Sequence, residues 1–144
     1  MVPPASTPST VSRVAFSAQL SNDVTSMGNN QPIVFDKVVS NIGNGYNEAD
    51  GIFTASVAGT YVFTWTAFNK VHTHMQTELV VNNAVYGRTW SDANDHSDVA
   101  IASNTVVVTL DSGDVVWIRS NTVHSGTISG HLMTTFSGWI IFSH

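Results

Sequence analysis

The sequence predicts an all-β protein built as a sandwich or a barrel. Short segments with apolar side chains at every second position recur along the chain, and a period of two is the pattern of a half-buried strand. Turn signals made of Gly, Asn and Asp separate these segments at short intervals, and no segment has the apolar spacing of a helix. At 144 residues the chain is long enough for one domain with a single core.

We expect the chain to begin with a disordered lead-in at residues 1–10, followed by one globular domain at residues 11–144. The lead-in is rich in Pro, Ser and Thr, a composition that buries too little apolar surface to fold. It has no basic segment followed by an apolar stretch, so it does not match a secretory signal. No run of the chain is apolar for long enough to span a membrane.

Three strands are predicted before residue 70. Residues 11–20 alternate loosely, and residues 52–54 form a short strand. The strongest signal is residues 60–69, where aromatic and threonine side chains occupy opposite faces. Between these strands lie a polar loop, a short apolar segment and a turn region rich in Gly and Asn, at residues 21–32, 33–40 and 41–50.

A hairpin and a polar loop are predicted next. Residues 76–81 and residues 84–90 have the alternation of strands, and they flank the pair Asn82 and Asn83. Asparagine tolerates positive φ, which the tight turns of hairpins require. The most polar loop of the chain follows directly, at residues 91–98.

A second hairpin and a closing strand complete the domain. Residues 105–110 and residues 115–120 flank an Asp-Ser-Gly-Asp turn signal at residues 111–114. Residues 131–142 then form a strongly apolar last strand. Large aromatic side chains on these strands are expected to fill the core, and they are Phe16, Phe35, Phe53, Phe63 and Phe142.

The charge pattern excludes several partners. The chain has five Lys and Arg residues against ten Asp and Glu residues, and the basic ones are scattered. Nucleic acids and anionic membranes select clustered basic residues, so neither is expected as a partner. There is no cysteine, and therefore no disulfide or thiolate site. A chain with so few charges and so many apolar residues has reason to bury part of its surface against copies of itself.

An aromatic and glycine series in the first half of the domain resembles the signature of the C1q domain, the complement-type globular head. The series consists of Phe35, Asn41, Tyr46, Phe53, Gly59, Tyr61, Phe63 and Trp65. Three further matches stand in the correct order along the chain, at residues 15–18 before the series and at residues 110–116 and 136–142 after it. Trp65 departs from the family, which usually has Phe or Tyr there.

The resemblance implies a two-sheet jelly roll of about ten strands, shared with tumour necrosis factor-like cytokines, and assembly into a homotrimer. No Gly-X-Y tract precedes the domain, so the chain carries no collagen stalk. Stand-alone heads of this kind resemble secreted invertebrate lectins of innate immunity, which bind microbial or host glycans. Two alternatives remain open: a trimeric extracellular ligand for a protein receptor, and a structural protein without a specific ligand.

The glycan site is predicted around the end of the second predicted hairpin strand. A sugar needs hydrogen-bonding groups and an aromatic face on which its ring can lie. Arg88 and Trp90 supply a cation and a ring within one short segment, and Tyr86 is expected to share their side of the strand. Asn94 and His96 in the following loop complete the predicted set. The alternative is that Trp90 is half-buried at an edge or an interface.

The same loop is a candidate calcium site, with Asp92, Asp95 and Asp98 as ligands. Hard carboxylate oxygens at this density can bind Ca²⁺. The resemblance also implies calcium, because several family members bind it with an acidic loop near the trimer axis. Asp92 matches one acidic position of that loop, whereas Ala100 falls on the other. The alternative is a solvated acidic loop.

An enzyme is not predicted. The sequence has no Gly-x-Ser-x-Gly elbow, no His-Glu-x-x-His motif and no glycine-rich phosphate loop. Glu48 and Glu78 are its only glutamates, which is a poor supply for glycosidase chemistry.

Overall fold

A computed structural model of the protein describes residues 12–25, 27–70, 72–93, 97–121 and 127–144. The predicted lead-in at residues 1–10 lies outside these ranges, so its disorder stays a prediction. Ten strands follow one another: β1 (Ala15–Gln19), β2 (Lys37–Ile42), β3 (Tyr46–Asn47), β4 (Ile52–Thr54), β5 (Gly59–Asn69), β6 (His74–Val81), β7 (Ala84–Asp92), β8 (Ala100–Leu110), β9 (Val115–Ser120) and β10 (Thr135–Ser143). The described ranges contain no helix that is long and apolar enough to cross a membrane.

The strands form two five-stranded sheets. The first sheet has the order β2-β1-β10-β5-β8, and the second has the order β3-β4-β9-β6-β7. The paired strands are antiparallel. The all-β, two-sheet architecture predicted from the sequence is therefore confirmed, with ten strands.

Strand β5 lies between β10 and β8 in the first sheet, and its alternation is the one that the sequence predicts. Tyr61, Phe63 and Trp65 are buried, and Val62 and Thr64 between them are only partly covered. The indole Nε1 of Trp65 donates a hydrogen bond of 2.8 Å to Oγ1 of Thr77 on β6. The tryptophan that departs from the family pattern thus links the two sheets across the core, which Phe cannot do.

An aromatic cluster fills the space between the sheets. Phe16 stacks on Tyr46 and on Phe53, each at a ring centroid distance of 5.0 Å, and Phe136 meets Phe16 edge-on at 4.9 Å. These geometries are the offset and edge-to-face arrangements that aromatic quadrupoles prefer. Four of the five phenylalanines predicted for the core, Phe16, Phe35, Phe53 and Phe63, are buried as expected.

The prediction was wrong for Phe142, whose surface is 55% exposed. Strand β10 has an irregularity between Ile140 and Phe142, after which Phe142 pairs with Thr60 of β5. A bulge of this kind adds one residue and reverses the side on which the following side chains lie. Sequence alternation cannot show a bulge, so Phe142 was assigned to the wrong face.

The turns agree with the sequence. Asn82 and Asn83 have φ values of 49° and 72°, and they connect β6 to β7 as predicted. Gly113 in the next hairpin has a φ of 95°, a conformation that glycine adopts without steric cost. Asp114 closes that turn by accepting a 2.8 Å hydrogen bond from the backbone N–H of Asp111.

Several strand ends differ from the sequence prediction, and two of them, on β7 and β8, are the largest extensions near the site. Strand β7 continues to Asp92, so the start of the predicted polar loop is strand. Strand β8 begins at Ala100 instead of residue 105, because β5 is long enough to pair with it from Asn69 onward. Each extension depends on the length of the partner strand, β6 for β7 and β5 for β8.

Candidate functional site

The candidate site lies on the side of the second sheet that faces away from the core. On β6, Met75, Thr77 and Leu79 are buried in the interior, so the intervening residues face outward. We call this surface the outer sheet face. It consists of the outward side chains of three neighbouring strands: Gln76 and Glu78 of β6, Tyr86, Arg88 and Trp90 of β7, and Arg119 of β9, with Asn121 directly after it.

Three of the predicted ligand-binding residues form a row on the edge strand β7. Tyr86, Arg88 and Trp90 are 51%, 55% and 56% exposed, and alternate positions on a strand lie about 7 Å apart. Between the first two, Gly87 faces the interior, where a Cβ would lie 2.8 Å from Cγ2 of Val106. The predicted common side of these three residues is confirmed, and Trp90 is open to solvent.

Glu78 lies beneath this row and holds it in place. Its carboxylate accepts hydrogen bonds from Nε of Arg88 at 2.7 Å, from Nε of Arg119 at 2.9 Å and from Nδ2 of Asn121 at 3.0 Å. The residue is only 1% exposed, and a buried carboxylate is tolerated when charged partners satisfy it. The register explains the arrangement, because Arg88 and Arg119 are the direct cross-strand partners of Glu78 on either side.

The electrostatics of Glu78 keep it ionised. Burial alone would raise the pKa of Glu78, but the hydrogen bonds from Arg119, Arg88 and Asn121 and the positive charge of Arg119 together hold that pKa below its usual value. The outer sheet face therefore carries one buried negative charge and two guanidinium groups, of which Arg88 is the more exposed.

Trp90 is supported from the side by the neighbouring strand. Its ring stacks on the imidazole of His74, with centroids 5.3 Å apart and planes inclined by 28°. Gln76 is its direct cross-strand partner, and the backbone N–H of Asn121 donates a 2.8 Å hydrogen bond to the carbonyl of Gln76. Trp90 is thus open to solvent on one side and packed against His74 on another, and the side-chain amide of Gln76 is its neighbour on β6.

The described part of the structure contains two of the three predicted calcium ligands, Asp92 and Asp98. Asp92 ends β7, and Asp98 lies in the loop that follows, where its Oδ1 accepts a 2.8 Å hydrogen bond from the N–H of Val99. Among the described residues no group of three His, Asp or Glu side chains could hold a metal ion. Asp95 lies outside the described residues, so calcium binding at this loop stays a prediction.

Two members of the predicted glycan set, Asn94 and His96, also lie outside the described residues. Their part in the site stays a prediction. Conversely, sequence reasoning missed Glu78, Arg119 and Asn121. They come from separate parts of the chain, and the only available signal was that a glutamate inside a predicted strand needs a positive partner.

A second concave surface lies at the turn between β2 and β3. It is a cavity of about 470 Å³ lined by Val38, Asn41, Asn44, Tyr46, Asn47 and Glu48. Asn41 is committed to the backbone of Tyr46, which it contacts through both Nδ2 and Oδ1. Tyr46 itself is buried, so this cavity offers no aromatic face to a sugar.

The first sheet leaves a different kind of surface exposed. Several of its large apolar side chains lie open to solvent: Ile42 on β2, Ile101 and Val107 on β8, and Trp139, Ile141 and Phe142 on β10. The register places Val107 and Trp139 on either side of Val62, on the face turned away from the core. We call this surface the apolar sheet face.

Comparison with known proteins places this geometry in a family. The family model of the C1q domain matches residues 15–141. The chain is 34% identical to Caprin-2 of Danio rerio over 139 residues, which is 94% of this chain and 15% of that protein. It is 31% identical to the heavy metal-binding protein HIP of Mytilus edulis over 129 residues, or 89% of this chain and 60% of that protein. The chain thus spans less than two thirds of the length of these relatives.

Solved structures show the same fold. The globular domain of zebrafish complement 1qA superposes with a TM-score of 0.75 at 23% identity, covering 92% of this chain and 100% of that domain. The Eiger TNF of S. frugiperda superposes with a TM-score of 0.71 at 11% identity, covering 89% of this chain and 91% of the other. The jelly roll shared with tumour necrosis factor-like proteins is confirmed, and the protein belongs to the C1q-domain family.

Proposed function

We propose that the protein is a secreted, homotrimeric lectin of innate immunity that binds microbial or host glycans on its outer sheet face. One observation carries the proposal: Tyr86, Arg88 and Trp90 form an exposed row, and the buried Glu78 fixes its central residue. A surface that presents two large aromatic rings and a cation to solvent is unusual unless it binds something.

The chemistry of this surface suits a sugar. A pyranose ring has an apolar C–H face and a rim of hydroxyl groups. The exposed ring of Trp90 can take the C–H face, while the amide of Gln76 lies on the neighbouring strand β6 and that of Asn121 directly after β9. An exposed flat site of this kind gives modest affinity for each chain, because little of the ligand is removed from water.

Trimer formation would supply the missing affinity. The apolar sheet face exposes Val107 at 62% and Trp139 at 43%, and further copies of the chain are the occupants that such an apolar surface favours. The outer sheet face belongs to the other sheet, so covering the apolar sheet face does not by itself cover it. Three identical weak sites on one rigid body then bind a repetitive glycan surface by avidity.

A protein receptor is the second candidate partner. Trp, Tyr and Arg are the residues that dominate protein–protein binding energies, and the exposed row on β7 offers one of each. The name of the Mytilus edulis relative raises metal binding, but the described residues form no group of ligands for it. A structural protein without a ligand is the remaining alternative.

We expect Trp90→Ala to weaken glycan binding about tenfold or more, and Trp90→Phe to keep most of it. The loss corresponds to about 1.4 kcal/mol, and the phenyl ring of the second variant still offers a stacking face. Binding would be measured on a glycan array and by titration of the best glycan, each with calcium and with chelator. Equal binding by the Ala variant and the wild type would contradict this site. Binding to no glycan, with capture of one host protein, would favour the receptor alternative.

We expect the wild type to sediment at three times the 15.5 kDa mass of the chain, and Val107→Glu to sediment as a monomer. The substitution places a charge in the apolar sheet face, where association would have to bury it. Tyr86→Glu is the matched control, because Tyr86 is similarly exposed but lies on the outer sheet face. A monomeric wild type at micromolar concentration, or a Tyr86→Glu variant that dissociates instead, would overturn this assignment.

A further inference from the structure

Around Glu78, the outer sheet face has one more positive charge than negative charges, in a chain whose net charge is −5. Two guanidinium groups, from Arg88 and Arg119, share the single carboxylate of Glu78. That carboxylate is buried and receives three hydrogen bonds, so its charge is compensated beneath the surface. Arg119 is 18% exposed, whereas Arg88 is 55% exposed. The surplus positive charge is therefore presented to solvent by Arg88.

Most of the hydrogen-bonding capacity of Arg88 is unused. A guanidinium group has five N–H donors in a fixed planar fork, and only the Nε donor of Arg88 binds Glu78. Within the described residues its terminal nitrogens donate no hydrogen bond and form no second ion pair. The backbone is also fixed, because the carbonyl of Arg88 accepts a 3.0 Å hydrogen bond from Nδ2 of Asn104 on β8.

This geometry is suited to an oxyanion more than to a hydroxyl group. The paired terminal N–H groups of arginine match two oxygens of a carboxylate or a sulfate ester, and charge makes these hydrogen bonds about twice as strong as neutral ones. Trp90 lies about 7 Å from Arg88 along the strand, on the same face. A sugar ring stacked on that indole would hold an anionic substituent over the guanidinium. Asp92 lies beyond Trp90, at the far end of the row.

We propose that Arg88 binds an anionic substituent of the glycan, a uronate carboxylate or a sulfate ester, while Trp90 stacks on the sugar that carries it. The inference rests on the proposed glycan-binding function and assigns its ligand class. Glu78 is a positioning residue: it fixes Nε of Arg88 and so aims the free edge of the fork outward. Arg88 is then the specificity-determining residue that separates acidic glycans from their neutral parents.

The test compares three probes built on one sugar: a neutral galactose oligosaccharide, its 6-sulfated form and an oligogalacturonate. We expect the wild type to bind at least one acidic probe ten times more tightly than the neutral one, with affinity that falls as salt rises. Arg88→Gln should lose that preference. Arg88→Lys should retain only part of it, because lysine keeps the positive charge but lacks the paired N–H donors of the guanidinium group. Arg13→Gln, the same change at another exposed arginine, should keep the full preference.

The outcomes separate this inference from the proposed function. Binding through Trp90 that is equal for neutral and acidic probes, in the wild type and in Arg88→Gln, overturns the inference and leaves the lectin intact. Binding to none of these probes and to no glycan on the array overturns both. Comparison of the sulfated probe with the oligogalacturonate identifies which oxyanion is bound. Arg88→Gln leaves Glu78 paired with Arg119 and Asn121, and an unchanged Tm would show that lost preference does not reflect unfolding.

Discussion

Replacing Arg119 with methionine is expected to lower the free energy of unfolding by about 3 to 5 kcal/mol. Arg119 is mostly buried and donates a 2.9 Å hydrogen bond from Nε to Oε1 of Glu78. Its removal leaves a carboxylate that is 1% exposed with one cation that is itself open to solvent. Chemical denaturation, with the midpoint and the slope fitted separately, measures the loss.

The matched control is Arg88→Met, the same substitution on the other side of the same carboxylate. Arg88 is 55% exposed, and an ion pair of that exposure contributes at most about 1 kcal/mol. We therefore expect a small loss of stability together with the loss of acidic-glycan preference. Equal losses of unfolding free energy from Arg119→Met and Arg88→Met would show that the burial of the arginine does not decide how much its removal costs.

The effect of Arg119→Met should also depend on pH with a definite sign. The folded-state pKa of Glu78 is held below its usual value, so the ionised carboxylate stabilises the fold above the unfolded pKa of about 4.3. That contribution is lost as the pH falls through the lowered folded pKa. The difference in unfolding free energy between the wild type and Arg119→Met is thus largest near neutral pH and becomes smaller in acid. A difference that stays constant down to the acid transition would contradict this account of Glu78.

Replacing Phe136 with alanine is expected to cost about 3 to 5 kcal/mol of unfolding free energy. Phe136 is fully buried, and its ring lies 4.9 Å from Phe16, 5.5 Å from Phe35 and 6.1 Å from Phe63, measured between centroids. The neighbours come from two strands of the first sheet and from the loop before β2, and they cannot all close on the cavity that alanine would leave.

Tyr86→Ala is the control for this prediction, since it removes an aromatic ring that is 51% exposed on the outer sheet face. We expect a change within about 0.5 kcal/mol. Both variants would be unfolded at one protein concentration, because association stabilises the folded chain by mass action. A loss below about 1 kcal/mol for Phe136→Ala would mean that the aromatic cluster repacks far more freely than its geometry indicates.

The candidate site was predictable only along one strand. Tyr86, Arg88 and Trp90 share a face because they alternate within β7, and alternation can be read directly from sequence. Glu78 and Arg119 could not be added in that way, because their meeting depends on the registers of β6 with β7 and of β6 with β9. Register is fixed by the pairing of strands that are distant along the chain, and it cannot be read from a single sequence.

By itself, the sequence determined the fold class, the family resemblance, most of the core and the exposed row that we propose as the binding site. These follow from the two-residue period of strands, from the chemistry of turn residues and from a motif whose members stand in order along the chain. The tertiary structure alone decided that Phe142 faces outward, that Trp65 bonds across the core, and that Arg88 is held from below by a buried glutamate. The physical reason is common to all three: a bulge, a contact between sheets and a cross-strand ion pair each depend on which strands meet and in which register.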